Sequence, residues 1–271
     1  MPVLWMLILC VPMMLCGVGV EPHHTTAFIA PVGSVDALGT FSAYSTDHFW
    51  NKHGKKQPTY NHFKQQSYLL YVEYAIQPCD SLSLNGGFTQ VQESLHGHQR
   101  GIEDIQIGWK HQFSGSDTSA LTGKLTGIVP VGDKKCAVRY GKAGLQLALL
   151  YSQLFWLQQY CGWCDFDLGY RWYQGFPSDQ IRADLALGVV VHPGIWLVAS
   201  SQLDYGLFNG QSRGNINNIV LNSNYRRLQG KLECVFNLLT HLSVSLGGYV
   251  HFWGQNVGSG GGYFCGAWLD F

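Results

Sequence analysis

Cys161 and Cys164 lie three positions apart in a pattern that suits redox or zinc chemistry. A zinc site of this kind usually has a second such pair, and the sequence contains none. If the two cysteines lie in one β-strand, they are about 10 Å apart on opposite faces, beyond the roughly 7 Å Cα separation that a disulfide bridges. We therefore interpret the cysteines that follow the N-terminal region as isolated thiols in strands and turns.

Several histidines fall in or beside two polar segments and raise the question of a metal site. Imidazoles two positions apart can share one ion, but no carboxylate or cysteine accompanies these at a recognisable ligand spacing. We interpret them as solvated loop residues and expect no bound metal and no cofactor. The histidines are His48, His53, His62, His96 and His98.

An enzymatic site would need a nucleophile beside a base that a third group orients. Ser45 and His48 are close in sequence but belong to opposite faces of an alternating stretch. Neither Gly-x-Ser-x-Gly nor His-Glu-x-x-His occurs. The glycine run at 258–262 is not followed by Lys-Ser/Thr, so it does not match a phosphate-binding loop. We therefore predict a protein that is not an enzyme.

The elements that must position these residues are β-strands. Twelve stretches alternate polar and apolar side chains with a period of two, and no helical period persists. Each is long enough to supply the about 9 to 11 residues with which a tilted strand crosses a bilayer. The stretches are 39–50, 65–76, 81–93, 102–113, 120–129, 143–154, 159–174, 180–191, 195–207, 220–236, 242–253 and 261–271.

The connections between the stretches alternate in length. Those after even-numbered stretches are short, and those after odd-numbered ones are mostly longer and polar, as in 51–64 and 130–142. This alternation on an even strand count is typical of an outer-membrane barrel. Only 13% of residues are charged, against about 25% in soluble proteins. We predict an all-β fold, a transmembrane antiparallel β-barrel of about 12 strands.

The two ends of the chain suggest how the protein is exported and assembled. Residues 1–19 resemble a signal peptide, with an uncharged apolar core followed by small residues. We expect a periplasmic N-terminal segment at 20–38, too short for a plug domain, and the barrel at 39–271. Phe271 ends an alternating strand and resembles the C-terminal signal that the barrel assembly machinery recognises. The predicted location is the outer membrane of a Gram-negative bacterium.

Extending the alternation inward assigns charged side chains of both signs to the barrel lumen, seven acidic and six basic. A strongly ion-selective pore would carry one sign in excess. Two alternatives remain open: the charges pair across a narrow lumen and fill it, or they line a path for small solutes. Glu103, in contrast, is expected on the lipid-facing surface. The lumen candidates are Glu73, Asp104, Lys110, Lys124, Asp165, Asp167, Arg171, Arg182, Asp184, Asp204, Arg227, Lys231 and Glu233.

Four segments resemble, in order, elements of one bacterial barrel family. The segments are 70–84 (a strand-turn-strand signature), 101–110 (Gly-x-Gly-Asp-x-x-Leu-Gly-x-Lys), 128–133 (Pro-Thr-Gly-Asp) and 168–171 (Gly-Tyr-Arg). The family comprises outer-membrane proteins labelled "MetA-pathway of phenol degradation", which are similar to FadL-type transporters of hydrophobic solutes. Ala75 and Glu103 stand where the family tends to have glycine, and Val131 replaces threonine.

The resemblance implies a passive transporter or channel for small solutes, with hydrophobic or aromatic ones included. The alternative is a surface-exposed structural or adhesion barrel without an open pore, and an outer-membrane lipid hydrolase is less favoured. The net charge of zero gives no reason to expect nucleic acid as a partner. Basic residues of the predicted external loops would pair with phosphates of lipopolysaccharide. These candidates are Lys52, Lys55, Lys56, Lys134, Lys135 and Arg139.

Overall fold

The protein is built from antiparallel β-strands. A computed structural model describes residues 26–93, 97–131, 140–157, 160–211 and 222–271. Among these residues no helix is long and apolar enough to cross a membrane. The strands are β1 (Val35–Trp50), β2 (Lys56–Gln77), β3 (Asp80–Glu93), β4 (Gly97–Ile102), β5 (Ile105–Gly115), β6 (Ser119–Val129), β7 (Gly144–Leu157), β8 (Tyr160–Tyr173), β9 (Gln180–His192), β10 (Ile195–Gly206), β11 (Arg226–Leu239), β12 (Leu242–Gln255), β13 (Val257–Gly258) and β14 (Gly261–Asp270).

Twelve of these strands form the wall of a closed barrel. β1 pairs with β2 on one side and with β14 on the other, so the sheet closes on itself. The short strands β4 and β13 extend the wall, because β4 pairs with β3 beyond the end of β5 and β13 pairs with β1 beyond β14. Closure pairs the backbone groups of a sheet that lies in lipid, where no water can do so. The predicted fold class is confirmed.

Side chains alternate between the two faces of the wall, as β7 illustrates. Leu147 is 61% exposed and Leu149 is 48% exposed on the outer face, whereas Gln146 and Leu150 are buried inside. A continuous outer surface of exposed Leu, Ile, Val and aromatic side chains suits contact with lipid tails. The outward apolar and inward polar pattern therefore matches a membrane barrel rather than a soluble sandwich.

The start of β1 and the end of β14 lie on the side of the barrel that has the short turns. We call this the short-turn end and the opposite one the loop end. β1 begins at Val35, four residues before the predicted start of the barrel at 39. The backbone N–H and C=O of Val35 each bond to Phe271, both at 3.0 Å. The additional residues are strand because they pair at the seam where the barrel closes.

At the loop end β11 begins at Arg226, whereas the predicted strand begins at 220. Two further predicted boundaries differ there as well. The polar segment 51–64 is mostly strand, since β2 begins at Lys56 and continues its pairing with β1 up to Trp50. The predicted strand 102–113 is interrupted, because Glu103 and Asp104 separate β4 from β5. The early start of β2 follows from the hairpin pairing of its backbone with β1. The break between β4 and β5 changes which side chains face inward.

Candidate functional site: a polar chamber inside the barrel

Residues 26–29, which precede β1, lie inside the barrel at the short-turn end. The N–H of Ala27 donates to Ser152 Oγ at 2.7 Å, and the Thr122 hydroxyl donates to the Ala27 carbonyl oxygen. Lys110 Nζ donates to the Thr26 carbonyl oxygen at 3.2 Å. Ala27 is fully buried. The segment before the barrel thus occupies part of the lumen and narrows it. The sequence predicts a segment that lines the short-turn mouth, but not the contacts that hold it inside.

A buried ion pair between β2 and β5 lies inside the barrel, next to this segment. Lys110 Nζ lies 2.7 Å from Glu73 Oε2, and both side chains are almost inaccessible to solvent. Ser81 Oγ donates to Glu73 Oε1 at 2.5 Å, and the hydroxyl of Tyr71 donates to Oε2. These two predicted lumen residues therefore pair with each other and fill space, as in the first alternative from the sequence.

A second charged group lies toward the loop end. Asp204 in β10 is directly opposite Arg182 in β9 and Arg227 in β11. Its Oδ1 is 2.8 Å from Arg182 Nε, and its Oδ2 accepts a hydrogen bond from Arg227 Nη2. One buried carboxylate thus holds two guanidinium groups. The three side chains together carry a net charge of +1.

Between these two groups lies a cavity of about 520 Å³, which we call the chamber. Its lining is rich in amide, hydroxyl and charged side chains. Eight of the predicted lumen residues line it: Lys124, Asp167, Arg171, Arg182, Asp184, Arg227, Lys231 and Glu233. Glu73, Lys110, Asp165 and Asp204 are buried but are not part of the lining.

Most charged side chains of the chamber are not neutralised by a direct partner. Within the described parts of the chain, no ion pair involves Lys124, Lys231, Asp167, Asp184 or Glu233. Arg171 is held by neutral groups, since its Nε donates to Gln146 Oε1 at 2.7 Å and its Nη2 to Gln106 Oε1 at 3.4 Å. The chamber therefore offers free donors and acceptors of both signs.

Aromatic and polar residues pack at the loop end of the chamber. Trp50, Tyr225 and Val257 form a buried cluster, with Tyr140 against it. Burial raises the pKa of the Tyr225 phenol, which lies outside the strands, to about 12. It therefore keeps its proton at neutral pH and can act as a hydrogen-bond donor.

Six aromatic side chains that the sequence analysis did not assign to the lumen line one wall of the chamber. They are Tyr44, Tyr71, Tyr249, His251, Phe264 and Trp268. The alternation within β1, β2, β12 and β14 would have found them, had it been followed for aromatic as well as charged side chains. Their rings give the chamber an apolar face within a polar lining.

Glu103 corrects the sequence prediction. It was expected on the lipid-facing surface, but its carboxylate accepts a hydrogen bond from Thr89 Oγ1 and lines the chamber. The interruption between β4 and β5 shifts the alternation at this point and turns the side chain inward. The neighbouring Asp104 instead accepts a hydrogen bond from the Gly141 N–H at 3.1 Å and is not part of the chamber lining.

The cysteine interpretation is corrected at one position. Cys161 takes part in a disulfide, whereas Cys164 is free, so the two are not bonded to each other. Among the described residues, no group of three or more His, Cys, Asp or Glu side chains could hold a metal ion. His96 lies outside the described residues.

The remaining predicted contact residues lie at the rims. Lys52, Lys55 and Lys56 are exposed where β1 turns into β2. Phe271 is 70% exposed and stands next to β1 at the seam. Lys134, Lys135 and Arg139 lie outside the described residues.

The fold is that of outer-membrane channels and porins. The chain is similar to the COG4313 outer membrane channel from Pseudomonas putida F1, with a TM-score of 0.72 at 13% identity over 93% of this chain and 100% of that one. It is also similar to the NanC porin (TM-score 0.52, 7% identity, 86% and 98% covered) and the KdgM porin (0.51, 6%, 87% and 99%). No protein-family model matches, and no curated protein matches significantly.

Proposed function

We propose that the protein is a passive channel of a Gram-negative outer membrane, and that small polar solutes cross it through the chamber. The observation that carries this proposal is the chamber itself, a cavity of about 520 Å³ in the middle of the barrel. Its volume falls within the roughly 300 to 1,000 Å³ of small-molecule sites. The likeness to channels and porins adds support at the level of the fold.

The chemistry of the lining favours polar over hydrophobic solutes. An apolar molecule in the chamber would desolvate Lys231, Asp184 and Glu233 without replacing their hydrogen bonds to water. A polar solute can exchange its own hydrogen bonds for those of the lining. The resemblance to transporters of hydrophobic and aromatic solutes rests on four sequence segments, whereas the preference for polar solutes rests on the side chains that line the chamber.

In the membrane, the short-turn end would face the periplasm and the loop end the exterior. Lys52, Lys55 and Lys56 would then lie at the outer rim, at the level of lipopolysaccharide phosphates, with which they can pair. Phe271 lies at the opposite rim, where the barrel assembly machinery would recognise it. The alternative of a structural or adhesion barrel predicts the same sidedness but no solute flux.

Single-channel recording in planar bilayers tests the proposal. Purified, folded protein should insert in steps of uniform conductance, and permeant polar solutes should lower the current in proportion to their size. As a control, heat-unfolded protein at the same concentration should give no steps. Absence of any conductance above background at all applied voltages would favour the structural or adhesion alternative.

A further inference from the structure

Two aromatic rings lie along the chamber wall over glycines of the neighbouring strands. A Cβ atom added at Gly247 in β12 would overlap the ring of Phe264. One added at Gly262 in β14 would meet the backbone of Ala43 first and would lie 2.9 Å from Tyr249 Cζ. The Phe264 ring therefore takes the space that a side chain at Gly247 would need, and the Tyr249 ring packs close to Gly262. Because the rings extend along the wall instead of across the lumen, they leave the chamber open beside them.

Neighbouring aromatic side chains support the ring of Tyr249. Tyr44 is buried and stacks on it, with ring centroids 6.2 Å apart and an interplanar angle of 11°. His251 stacks on Tyr44 at 5.0 Å, and its Nδ1 lies 2.8 Å from the Gly258 carbonyl oxygen. Tyr249 itself is only partly buried and lines the chamber. It is thus a supported surface with access to a solute.

Charged groups of both signs flank this surface. In the register between β11 and β12, Lys231 is opposite Tyr249, and Glu233 is opposite Gly247, over which Phe264 lies. Among the described residues neither Lys231 nor Glu233 belongs to an ion pair. An ammonium donor and a carboxylate acceptor therefore stand beside the two rings.

We propose that Tyr249, Phe264, Lys231 and Glu233 form a subsite for the pyranose ring of a small sugar. The partly positive C–H face of the sugar packs on the negative face of the aromatic rings. Its hydroxyl groups donate to Glu233 and accept from Lys231, which satisfies both charges without a counterion. An aliphatic chain of similar size would leave these two groups unpaired. This inference rests on the proposed function, because it names the solute class of the same chamber.

Binding can be measured without any flux, by saturation-transfer NMR on folded protein in lauryldimethylamine oxide micelles. This detergent carries no sugar headgroup that would compete. The probes are methyl α-D-glucopyranoside and sorbitol, an acyclic polyol of similar size. The glucoside should receive saturation at concentrations where sorbitol does not, since only the ring can stack. Equal signals from the two probes would overturn the inference.

Substitutions test whether the glucoside binds at the subsite formed by these four residues. Tyr249→Ala should weaken glucoside binding by roughly threefold or more, whereas Tyr249→Phe should retain it, because the ring is kept. Lys231→Met, which leaves both rings in place, should also weaken binding. It serves as the second variant if Tyr249→Ala loses heat-modifiable migration on a gel. Unchanged binding in folded Tyr249→Ala or in Lys231→Met would refute the assignment.

The failure of this inference can be told apart from failure of the proposed function. Uniform conductance steps without a preference for the glucoside would leave the channel in place and remove the sugar subsite. Glucoside binding by a protein that never conducts would leave the subsite in place and remove the channel.

Discussion

The Lys110 ammonium lies 2.7 Å from the Glu73 carboxylate inside the barrel, where the two side chains are 1% and 9% exposed. The same ammonium donates to the Thr26 carbonyl oxygen of the segment that precedes β1. One cation thus joins the wall of the barrel to the chain that narrows its lumen.

Removing the cation of this pair should destabilise the barrel. Lys110→Met leaves Glu73 as an uncompensated buried charge, which typically costs about 3 to 5 kcal/mol. The free energy of unfolding in urea, with the protein in lipid vesicles, should fall by that order. Lys124→Met is the matched control: Lys124 lies opposite Lys110 in β6 but forms no ion pair among the described residues, so the same change should cost less. Equal losses in both variants would contradict the role given to the pair.

Removing the chain inside the lumen should widen the path. Deletion of residues 26–30 breaks the hydrogen bonds of Ala27 to Ser152 and Thr122 and empties the space that they enclose. Single-channel conductance should rise by roughly twofold or more, since flux follows the dimensions of the narrowest part. Val32→Ala, at a side chain of the same segment that is 57% exposed, serves as a control for changes in this region. Unchanged conductance of the deletion variant would place the narrowest part elsewhere.

Neutralising the carboxylate between two arginines should favour anions. Asp204→Asn leaves the guanidinium groups of Arg182 and Arg227 without their shared counter-charge. The reversal potential in a salt gradient should shift toward anion preference, by roughly twofold or more in permeability ratio. Asp47→Asn makes the same charge change at a side chain that is 71% exposed, so it should leave selectivity unaltered. A shift of equal size in both variants would contradict the lumen location of the effect.

A charge on the outer face of the barrel should be costly. Leu149 lies near the middle of β7 and is 48% exposed on that face. Leu149→Arg should lower the free energy of unfolding in vesicles by about 2 to 4 kcal/mol if the side chain faces the bilayer interior. Leu149→Ala controls for loss of the side chain alone. An arginine variant as stable as the alanine variant would show that this surface does not meet lipid.

The fold could be predicted from the sequence because each strand shows the alternation of inward and outward side chains on its own. In β8 the alternation of Asp165 and Asp167 with Phe166 and Leu168 already indicates an inner and an outer face, and the barrel follows from repeating that pattern. The placement of Arg171 and Arg182 inside the lumen follows from the same rule. Such local patterns do not depend on knowing which strands are neighbours.

Other features could not be read from the sequence because they depend on contacts between distant residues. Glu103 turns inward because β4 and β5 are separated there, and an interruption of one residue pair leaves no distinct pattern. Ala27 is held inside the barrel by two residues far along the chain. Its N–H donates to Ser152 Oγ, and its carbonyl oxygen accepts from the Thr122 hydroxyl. The pairing of charges likewise needed the register of β9, β10 and β11.

The most direct test of the chamber as the solute path is chemical block of an open channel. Gln202→Cys places a thiol on the chamber lining, whereas Leu203→Cys places one at the next position of β10, on the opposite face. Both are made with the free cysteines Cys79, Cys164, Cys234 and Cys265 replaced by serine. A charged methanethiosulfonate reagent should lower the single-channel current of the Gln202→Cys variant and leave that of Leu203→Cys unchanged. Current through the Gln202→Cys variant that persists unaltered, after mass spectrometry has verified labelling of its introduced thiol, would contradict the account.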